Sequence, residues 1–510
     1  MPSKRVVEAD KALRDNPAPN PRRDAVIEAL MPAWLEELAP ILILLTVIAL
    51  VVWRLPHVDL GHSKEFRRRR FMNWFPLGMT YAFLYMGRYN LTVATSSLGE
   101  LITNADFGTI KMVGTWVYGL SFLINGPLTD RIGGRKTMLI AALGAAFANA
   151  AMGVLVLSGA RDNLVPQLGF LYALNMYFQS FGAVSIVKVN AAWFHLRERG
   201  TFGGIFGILI SLGIYFAFDW SALILEHAET HWVFFVPAIL LIVFFVASFI
   251  WVRDTPSEAG FPDIETGDAT LHDPKKSDTY REHNPSAQHV HKGGVKETIR
   301  SIGYVGGLML RNPVILIIAA IEFCSGFLRS GLMDGYGLFS RQTHIDNFLS
   351  HNWGMVQCCA GILGGIIAGL ISDRVFHSRR GPVASILYGV MIVGSLVMWL
   401  TMDNSLAVSA TVSVMTLSII GVHGMLSGAA SMDFGGKQNV GIVVGIIDGL
   451  VYLGQGAQYL CFSRLAPSAE AQAVTSNWSF LPLMYLPIAL LGVVLASRIW
   501  NAKPSAGGAH

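Results

Sequence analysis

Long apolar runs recur along almost the whole chain, and they constrain its fold more than any other feature. A helix needs about 20 mostly apolar residues to cross the bilayer core. One run lies near residues 39–53, and twelve more lie near 71–97, 108–128, 137–158, 166–192, 202–224, 232–252, 312–339, 351–371, 383–401, 405–428, 438–460 and 479–498. Only 14% of the 510 residues are charged, whereas soluble domains carry roughly 25%. The runs predict an all-α polytopic membrane protein and exclude a soluble or a disordered chain.

The basic residues of the loops predict the orientation of the chain. One set of alternate loops contains Arg131, Arg135, Lys136, Arg197, Arg199, Arg374, Arg379, Arg380 and Lys437. The other set carries only Lys111, Arg161, Arg341 and Arg464. Because loops rich in Lys and Arg stay in the cytoplasm, the first set is predicted to be cytoplasmic. The polar segment 254–300 then becomes a cytoplasmic linker.

The first apolar run is additional to the twelve. We expect an extra N-terminal membrane helix at 38–55, after a polar tail at 1–37. Basic residues follow the run, so its C-terminal end is predicted to be cytoplasmic and the N-terminus to lie outside. The alternative is a helix that lies in the membrane interface, with the N-terminus inside. The cluster Arg67–Arg70 is a candidate contact for anionic lipid headgroups.

The two halves of the chain repeat each other. Asp130-Arg131 recurs as Asp373-Arg374 after 243 residues, and Arg88 recurs as Arg329 after 241 residues. Near-constant spacing of unlike features predicts two homologous six-helix bundles related by a pseudo-two-fold axis. The predicted bundles are residues 65–253 and 301–498, followed by a tail at 499–510. Parallel six-plus-six repeats of this kind place a substrate site at mid-membrane between the halves.

The loop between the second and third of the twelve runs carries a motif. Residues Gly126 to Lys136 read Gly-Pro-Leu-Thr-Asp-Arg-Ile-Gly-Gly-Arg-Lys, and Gly369 to Arg374 form a degenerate second copy. Both resemble the signature of the major facilitator superfamily. In such a loop, basic side chains make charge-assisted hydrogen bonds across the helix ends. The resemblance implies the major facilitator fold and a gating motif, made of Asp130, Arg131, Arg135, Asp373 and Arg374.

Two arginines lie deep inside apolar runs, at equivalent places in the two halves. A charge at mid-bilayer costs at least about 2.5–3.5 kcal/mol, so Arg88 and Arg329 need a function or a partner. Two guanidinium groups that face one cavity can clamp an oxyanion, either a phosphate or a carboxylate. The alternative is that Glu322 or Asp334 neutralises Arg329 on its own helix.

The surroundings of these arginines resemble the organophosphate:phosphate antiporters, which include bacterial glycerol-3-phosphate and hexose-phosphate transporters. The matching residues are Tyr81, Tyr85, Arg88, Asn90, Arg329, Gly331 and Asp334, then the run Gly424 to Gly441 and Tyr452-Leu453-Gly454. The resemblance implies exchange of a phosphorylated metabolite for inorganic phosphate. Arg88 and Arg329 would hold the phosphate group, with Tyr81, Tyr85 and Asn90 beside it and Tyr336 facing it from the other half.

The chain departs from that family at several positions. Tyr89 stands where relatives often have Lys, and Phe122 and Ile210 replace other basic or titratable groups. Lys188 is a candidate replacement in the substrate site, and the alternative is a lysine that reaches to the cytoplasmic interface. Asp448 is an added carboxylate inside the eleventh run. We expect it, with Glu322, to be a coupling candidate, and the alternative is a fixed ion pair with Arg329.

These features predict a secondary transporter of a small anionic metabolite, and not an enzyme. The alternatives are a proton-coupled symporter of carboxylates or sugar acids, and a membrane sensor that does not transport. The four linker histidines have irregular spacing and the four cysteines form no cluster, so no metal or cofactor is predicted. A net charge of +4 does not suggest nucleic acid. We expect a monomer in the bilayer of a bacterial inner membrane, with phosphate or protons as counter-ion.

Overall fold

A computed structural model gives the structure of residues 33–55, 60–159, 162–195, 198–264, 313–377, 379–426 and 431–502. Of residues 33–37, 100, 123, 127, 130, 199–203 and 431–446 it gives the backbone alone. The helices are α1 (Ala33–Arg54), α2 (Lys64–Leu98), α3 (Asn104–Ile132), α4 (Gly134–Leu157), α5 (Leu164–Trp193), α6 (Arg199–Tyr215, Phe216–Trp220 and Ser221–His227), α7 (Trp232–Trp251), α8 (Pro313–Ser330, Gly331–Gly335 and Tyr336–Gln342), α9 (Trp353–Arg374), α10 (Arg380–Leu400), α11 (Ser405–His423), α12 (Ser431–Leu465) and α13 (Phe480–Arg498).

The ends of these helices follow from local sequence. The Ser63 hydroxyl accepts the backbone N–H of Phe66 at the start of α2. Thr103 and Asp106 form a capping box at the start of α3. Gly133 joins α3 to α4 with φ at 99°, and its N–H donates to the Thr129 carbonyl at 3.0 Å. A non-glycine residue rarely adopts this φ, so glycine is required where the predicted signature loop turns.

Two helices contain a five-residue π-helical segment. These segments are Phe216–Trp220 in α6 and Gly331–Gly335 in α8. A π segment widens the turn and shifts the register of every later side chain around the helix. In α8 the shift comes directly after Arg329, and it changes which way Tyr336 points.

The helices pack as two sets. α2 contacts α6 and α7, and α5 contacts α3 and α4; in the second set α8 contacts α12, α13 and α11, and α10 contacts α13. The two sets meet through α3 with α12 and through α6 with α9. A Cβ at Gly454 would lie only 2.0 Å from the Phe323 carbonyl. This close approach holds α12 tightly against α8, which carries Arg329.

Nine helices among the described residues are long and apolar enough to cross a membrane, namely α4 to α11 and α13 with their short extensions. The other long helices after α1 are α2, α3 and α12, which carry polar residues such as Arg88, Lys111 and Asp448. Exposed apolar side chains such as Phe147 and Phe170 cover the outer faces. The predicted all-α polytopic architecture is confirmed.

Several predictions concern the chain outside the two bundles. The extra apolar segment is helical, over Ala33–Arg54, and its apolar part Leu38–Arg54 is short for a span. Residues up to Ala49 belong to one compact unit and those from Leu50 to another. Whether this helix crosses the membrane stays a prediction. Most of the predicted tail 1–37 and of the predicted linker 254–300 lies outside the described residues, so the domain boundaries also stay predictions.

Candidate functional site

The guanidinium of Arg88 is enclosed by uncharged groups. Its side chain is 2% exposed. Nε donates to Gln179 Oε1 on α5 at 2.9 Å, and Nη1 donates to the Tyr452 hydroxyl on α12 at 3.1 Å. The ring centroids of Tyr85 and Tyr118 lie 4.5 and 4.3 Å from Cζ. Aromatic faces stabilise a buried cation in this way. The third nitrogen, Nη2, is buried and has no hydrogen-bond partner among the described residues.

Polar side chains fix the part of α2 that carries Arg88. The Tyr172 hydroxyl donates to the Arg88 carbonyl at 3.1 Å, and Asn175 Nδ2 donates to the Gly87 carbonyl at 2.8 Å. Asn90 Nδ2 donates to Asn149 Oδ1 and to the Val233 carbonyl. These bonds tie α2 to α4, α5 and α7 and hold the arginine in one orientation.

In this structure Asn90 bonds away from the Arg88 guanidinium, and its predicted role in substrate binding stays a prediction. Asn90 is fully buried against α4 and α7, on another face of α2 than the Arg88 guanidinium. Two residues along a helix are about 200° apart, so the two side chains cannot share one cavity. Tyr81 does lie with the site, because its ring centroid is 5.3 Å from that of Tyr85.

Arg329 on α8 faces the same tyrosines as Arg88. Tyr85, Tyr89 and Tyr452 lie within electrostatic range of both guanidinium groups. The Nε atom of Arg329 is buried and has no hydrogen-bond partner in the described part of the chain. The structure thus brings together two arginines from opposite halves around a set of tyrosines, which we call the arginine–tyrosine site: Arg88, Arg329, Tyr81, Tyr85, Tyr89, Tyr118 and Tyr452. Each arginine keeps one buried nitrogen without a hydrogen-bond partner among the described residues, which leaves a donor for an oxyanion.

The two acids expected to neutralise Arg329 have closer partners elsewhere. Glu322 is fully buried, and its Oε2 lies 2.9 Å from Nδ1 of His423 on α11. Asp334 lies within the π segment and contacts α2 and α3. Glu322 still lies within electrostatic range of Arg329. The prediction of a simple Arg329 ion pair on its own helix is corrected accordingly.

His423 joins three charged or titratable groups of the second half. It contacts Glu322 directly, and both Arg329 and Asp448 lie within its electrostatic range. We call Glu322, His423 and Asp448 the acid–histidine cluster. Sequence analysis missed His423, although a lone titratable residue inside an apolar helix is itself a functional signal. The cluster places both predicted coupling candidates close to Arg329, and their coupling role stays a prediction.

A buried ion pair connects the two halves on the predicted extracytoplasmic side. Lys111 Nζ on α3 lies 3.1 Å from Asp334 Oδ2 on α8, and both side chains are 1% exposed. Thr92 donates to Asp334 Oδ1 at 2.7 Å, and the Tyr459 hydroxyl donates to Oδ2. The sequence signal was Lys111 itself, which lies inside an apolar run but was counted with the loops.

Two further contacts close the same side. The amides of Asn104 and Gln342 exchange two hydrogen bonds of 2.9 Å between α3 and α8. Asp219 on α6 accepts the N–H groups of Gly354 and Met355 at the start of α9, at 2.7 and 2.9 Å. A carboxylate at a helix N-terminus is electrostatically favourable. Together with the Lys111–Asp334 pair, these contacts hold the halves together on one side of the arginine–tyrosine site.

Two other predicted substrate residues lie away from the site. The Tyr336 hydroxyl is 2.6 Å from Ser409 Oγ on α11, and the side chain is fully buried against Trp353. The π segment before Tyr336 explains the difference, because a regular helix would put it in line with Arg329 two turns earlier. Lys188 Nζ donates to the Thr129 carbonyl at 3.2 Å, near the end of α3. Their predicted roles in the substrate site stay predictions.

The predicted gating motif lies in the loops, away from the arginines. Arg135 donates from its backbone to Asp254 and from its side chain to the Phe249 carbonyl, both at 2.7 Å. In the second half Arg380 pairs with Asp373 at 2.9 Å. Arg131 and Arg374 are exposed, and the side chain of Asp130 lies outside the described residues. The predicted charge-assisted bonds therefore occur at the loop, and the gating role stays a prediction.

Comparison with known proteins agrees with this architecture. The chain is 26% identical to the glycerol-3-phosphate transporter of Bacillus subtilis, over 88% of this chain and 96% of that protein. It is 25% identical to the membrane sensor protein UhpC of Salmonella typhimurium, over 73% of this chain and 80% of that protein. These relatives confirm the resemblance to the organophosphate:phosphate antiporters.

The fold has solved counterparts. The structure of a bacterial homologue of the human lysosomal transporter Spinster superposes with a TM-score of 0.64 at 12% identity, over 86% of this chain and 98% of that one. The family model described as Major Facilitator Superfamily matches residues 77–458. That range contains both arginines and both signature loops. It also contains, in whole or in part, the eleven helices α2 to α12. The chain belongs to the major facilitator superfamily.

Proposed function

We propose that this chain transports a small phosphorylated metabolite by alternating access and exchanges it for inorganic phosphate. The observation that carries the proposal is a pair of buried guanidinium nitrogens, Arg88 Nη2 and Arg329 Nε, one from each half, which have no hydrogen-bond partner among the residues that the structure describes. A phosphate group presents several acceptor oxygens and matches the planar fork of arginine. The resemblance to glycerol-3-phosphate and sugar-phosphate transporters points to the same class of substrate.

The chemistry of the site favours exchange. Two guanidinium groups and a phosphate dianion together carry no net charge. The empty site keeps the charge of Arg88, which only uncharged groups compensate in the described part of the chain. Because an uncompensated charge is costly away from water, a carrier that returns with a second phosphate group avoids this cost.

The structure described here is closed on the predicted extracytoplasmic side by Lys111–Asp334, Asn104–Gln342 and Asp219. Alternating access requires these contacts to break when the halves rock the other way. Asp334 is five residues after Arg329 on the same helix. A phosphate group bound at Arg329 and the contacts that close the outer side therefore act on the same element.

Counterflow in liposomes tests the proposal. The full chain is reconstituted into vesicles loaded with inorganic phosphate, and uptake of labelled phosphate, phosphate esters and carboxylates is measured. We expect phosphate and one phosphate ester to exchange, and Arg88→Lys and Arg329→Lys to abolish exchange, because lysine keeps the charge but loses the fork. Arg464→Lys, at an exposed position at the end of α12, is the control and should exchange normally.

Two outcomes would contradict the proposal. Exchange of carboxylates without any phosphate ester would assign the site to carboxylates, as the alternative predicts. Near-normal exchange in both lysine variants would remove the arginines from the substrate site.

The similarity to UhpC supports a second candidate function, a sensor of a phosphorylated metabolite. A sensor binds its ligand at the arginine–tyrosine site and carries no flux. Binding of the ester by calorimetry in detergent, combined with no counterflow in liposomes, would favour the sensor over the transporter.

A further inference from the structure

The acid–histidine cluster is an unusual arrangement for the interior of a membrane protein. Glu322 is 0% exposed, and its Oε1 has no hydrogen-bond partner among the described residues. Its Oε2 is 2.9 Å from His423 Nδ1. Ionisable groups inside the bilayer are expensive and mark ion or proton pathways. A structural ion pair does not need a carboxylate oxygen that lacks a partner.

The exposure of the two side chains differs. The His423 side chain is 23% exposed, whereas that of Glu322 is 0% exposed. His423 is followed by a π-helical turn in which Gly424 is exposed and Met425 and Leu426 are buried. The imidazole is therefore partly exposed and also contacts the buried carboxylate. A proton can reach Glu322 across this contact.

We propose that Glu322 and His423 together form a proton-binding site, and that the proton they bind travels with the anion. In the pair, one proton lies between Nδ1 and Oε2. A further proton is accepted by the imidazole or by the carboxylate, and it removes one negative charge from the second half. No bond other than that to the proton forms or breaks. The inference rests on the proposed function, because it concerns the ion that accompanies the same substrate.

Arg329 links this site to the anion. Without a bound anion, the charge of Glu322 acts on Arg329, and the charge of Asp448 acts on His423. When an oxyanion binds Arg329, it replaces the compensation that Glu322 supplied. The pair then binds a proton more tightly, and by linkage the protonated protein binds the anion more tightly. Without an anion, the deprotonated carboxylate can balance Arg329 while the carrier returns.

The other titratable groups around Glu322 do not replace His423. On α8 these are Cys324 and Arg329, and on α10 Tyr388 lies close to Glu322 and donates to the Ile321 carbonyl at 2.7 Å. On α12 Asp448 acts on His423. On α13 Tyr485 packs against Gly331, beyond Arg329. A thiol and phenols titrate well above neutral pH, so the histidine and the carboxylates are the groups suited to proton exchange near pH 7.

Gradient-driven uptake tests the inference separately from exchange. Vesicles that contain the full chain receive labelled inorganic phosphate at one fixed external pH, with the lumen at the same pH or more alkaline. A potassium ionophore clamps the membrane potential. Because the external pH never changes, the ionisation of external phosphate is identical in all arms. Phosphate–phosphate exchange is measured on the same vesicles without a gradient.

We expect the alkaline lumen to stimulate net phosphate uptake by the wild type. Glu322→Gln and His423→Asn should lose this stimulation, a fall of roughly fivefold or more, and should keep phosphate exchange. The matched controls are Glu226→Gln and His227→Asn, which change exposed neighbours at the end of α6 and should keep both activities. A merely structural role would lower exchange and gradient-driven uptake together.

Different results overturn different statements. Wild-type exchange without any response to the gradient would overturn the proton site and leave the proposed function intact. Stimulation that persists in both variants, or equal loss of both activities in variants that elute as folded protein, would also overturn the proton site. No phosphate transport of either kind in the wild type would overturn the proposed function and this inference with it. If Glu322→Gln does not fold, the wild type and His423→Asn decide the question.

Discussion

The two arginines occupy equivalent helices, yet their surroundings differ in kind. Arg88 is held by an amide and by tyrosine rings, all uncharged. Arg329 lies within electrostatic range of Glu322 and next to the pair that Glu322 makes with His423. The first half therefore offers a fixed positive charge, whereas the second half offers one whose balance can change with protonation. The proposed anion site therefore draws on both halves of the repeated fold, whereas the proposed proton site draws on the second half alone.

The largest effect that tests this comparison is on stability. Arg329→Gln leaves the Glu322 carboxylate without its nearby cation, and breaking a buried ionic arrangement costs roughly 3 kcal/mol or more. Arg88→Gln removes hydrogen bonds from uncharged partners, a loss of about 1–3 kcal/mol. We expect a lower apparent melting temperature in detergent for Arg329→Gln than for Arg88→Gln.

A second-site variant sharpens this test. Adding Glu322→Gln to Arg329→Gln removes the uncompensated carboxylate and should restore part of the lost melting temperature. The same addition to Arg88→Gln should restore nothing. Equal effects in both backgrounds would show that the two arginines have equivalent surroundings after all.

The next effect concerns the contact that joins the halves. Lys111→Met leaves Asp334 buried without its cation, which destabilises the outer-closed state by about 3–5 kcal/mol. The equilibrium between the outer-closed and outer-open states then shifts by roughly 100-fold or more toward the open state. Ser463 packs against Gly108 across the contact between the halves. The measurement uses the variant Ser463→Cys, made in a chain whose native cysteines are replaced by serine. We expect an impermeant thiol reagent to label this cysteine faster in the Lys111→Met background.

The control for this measurement is Lys64→Met, which removes an exposed lysine at the start of α2. Labelling should stay slow in the control. Slow labelling in Lys111→Met as well would mean that the buried ion pair does not hold the outer side closed.

The smallest effect separates two tyrosines. Tyr452→Phe removes the hydroxyl that accepts a hydrogen bond from Arg88 Nη1. The loss of this bond costs about 1 kcal/mol and should weaken phosphate binding roughly fivefold. Tyr336→Phe removes only the bond to Ser409 and should leave the affinity unchanged while it lowers the melting temperature slightly. An equal loss of affinity in Tyr336→Phe would return that residue to the substrate site.

Sequence reasoning succeeded where residue type alone carries the information. Arg88 and Arg329 are identifiable because a charge inside an apolar run is costly wherever it points. Assignments by helical spacing were less successful, since Asn90 faces α4 and α7 and Tyr336 follows a π segment. No residue type marks which side of a helix faces a cavity, and none marks where the helical register changes. Gln179 and Tyr118 were recognised as neighbours of Arg88 only through the tertiary structure.

The sequence by itself determined the class of the protein. Apolar runs, loop charges and the repeat leave little choice but paired bundles of membrane helices, because the bilayer requires apolar spans with internally satisfied backbone groups. The tertiary structure alone decided which charges are neighbours. It placed Asp334 with Lys111 from the other half, and Glu322 with His423. Electrostatic partnership depends on distances across helices, and the packing of α3, α8, α11 and α12 sets those distances rather than spacing along the chain.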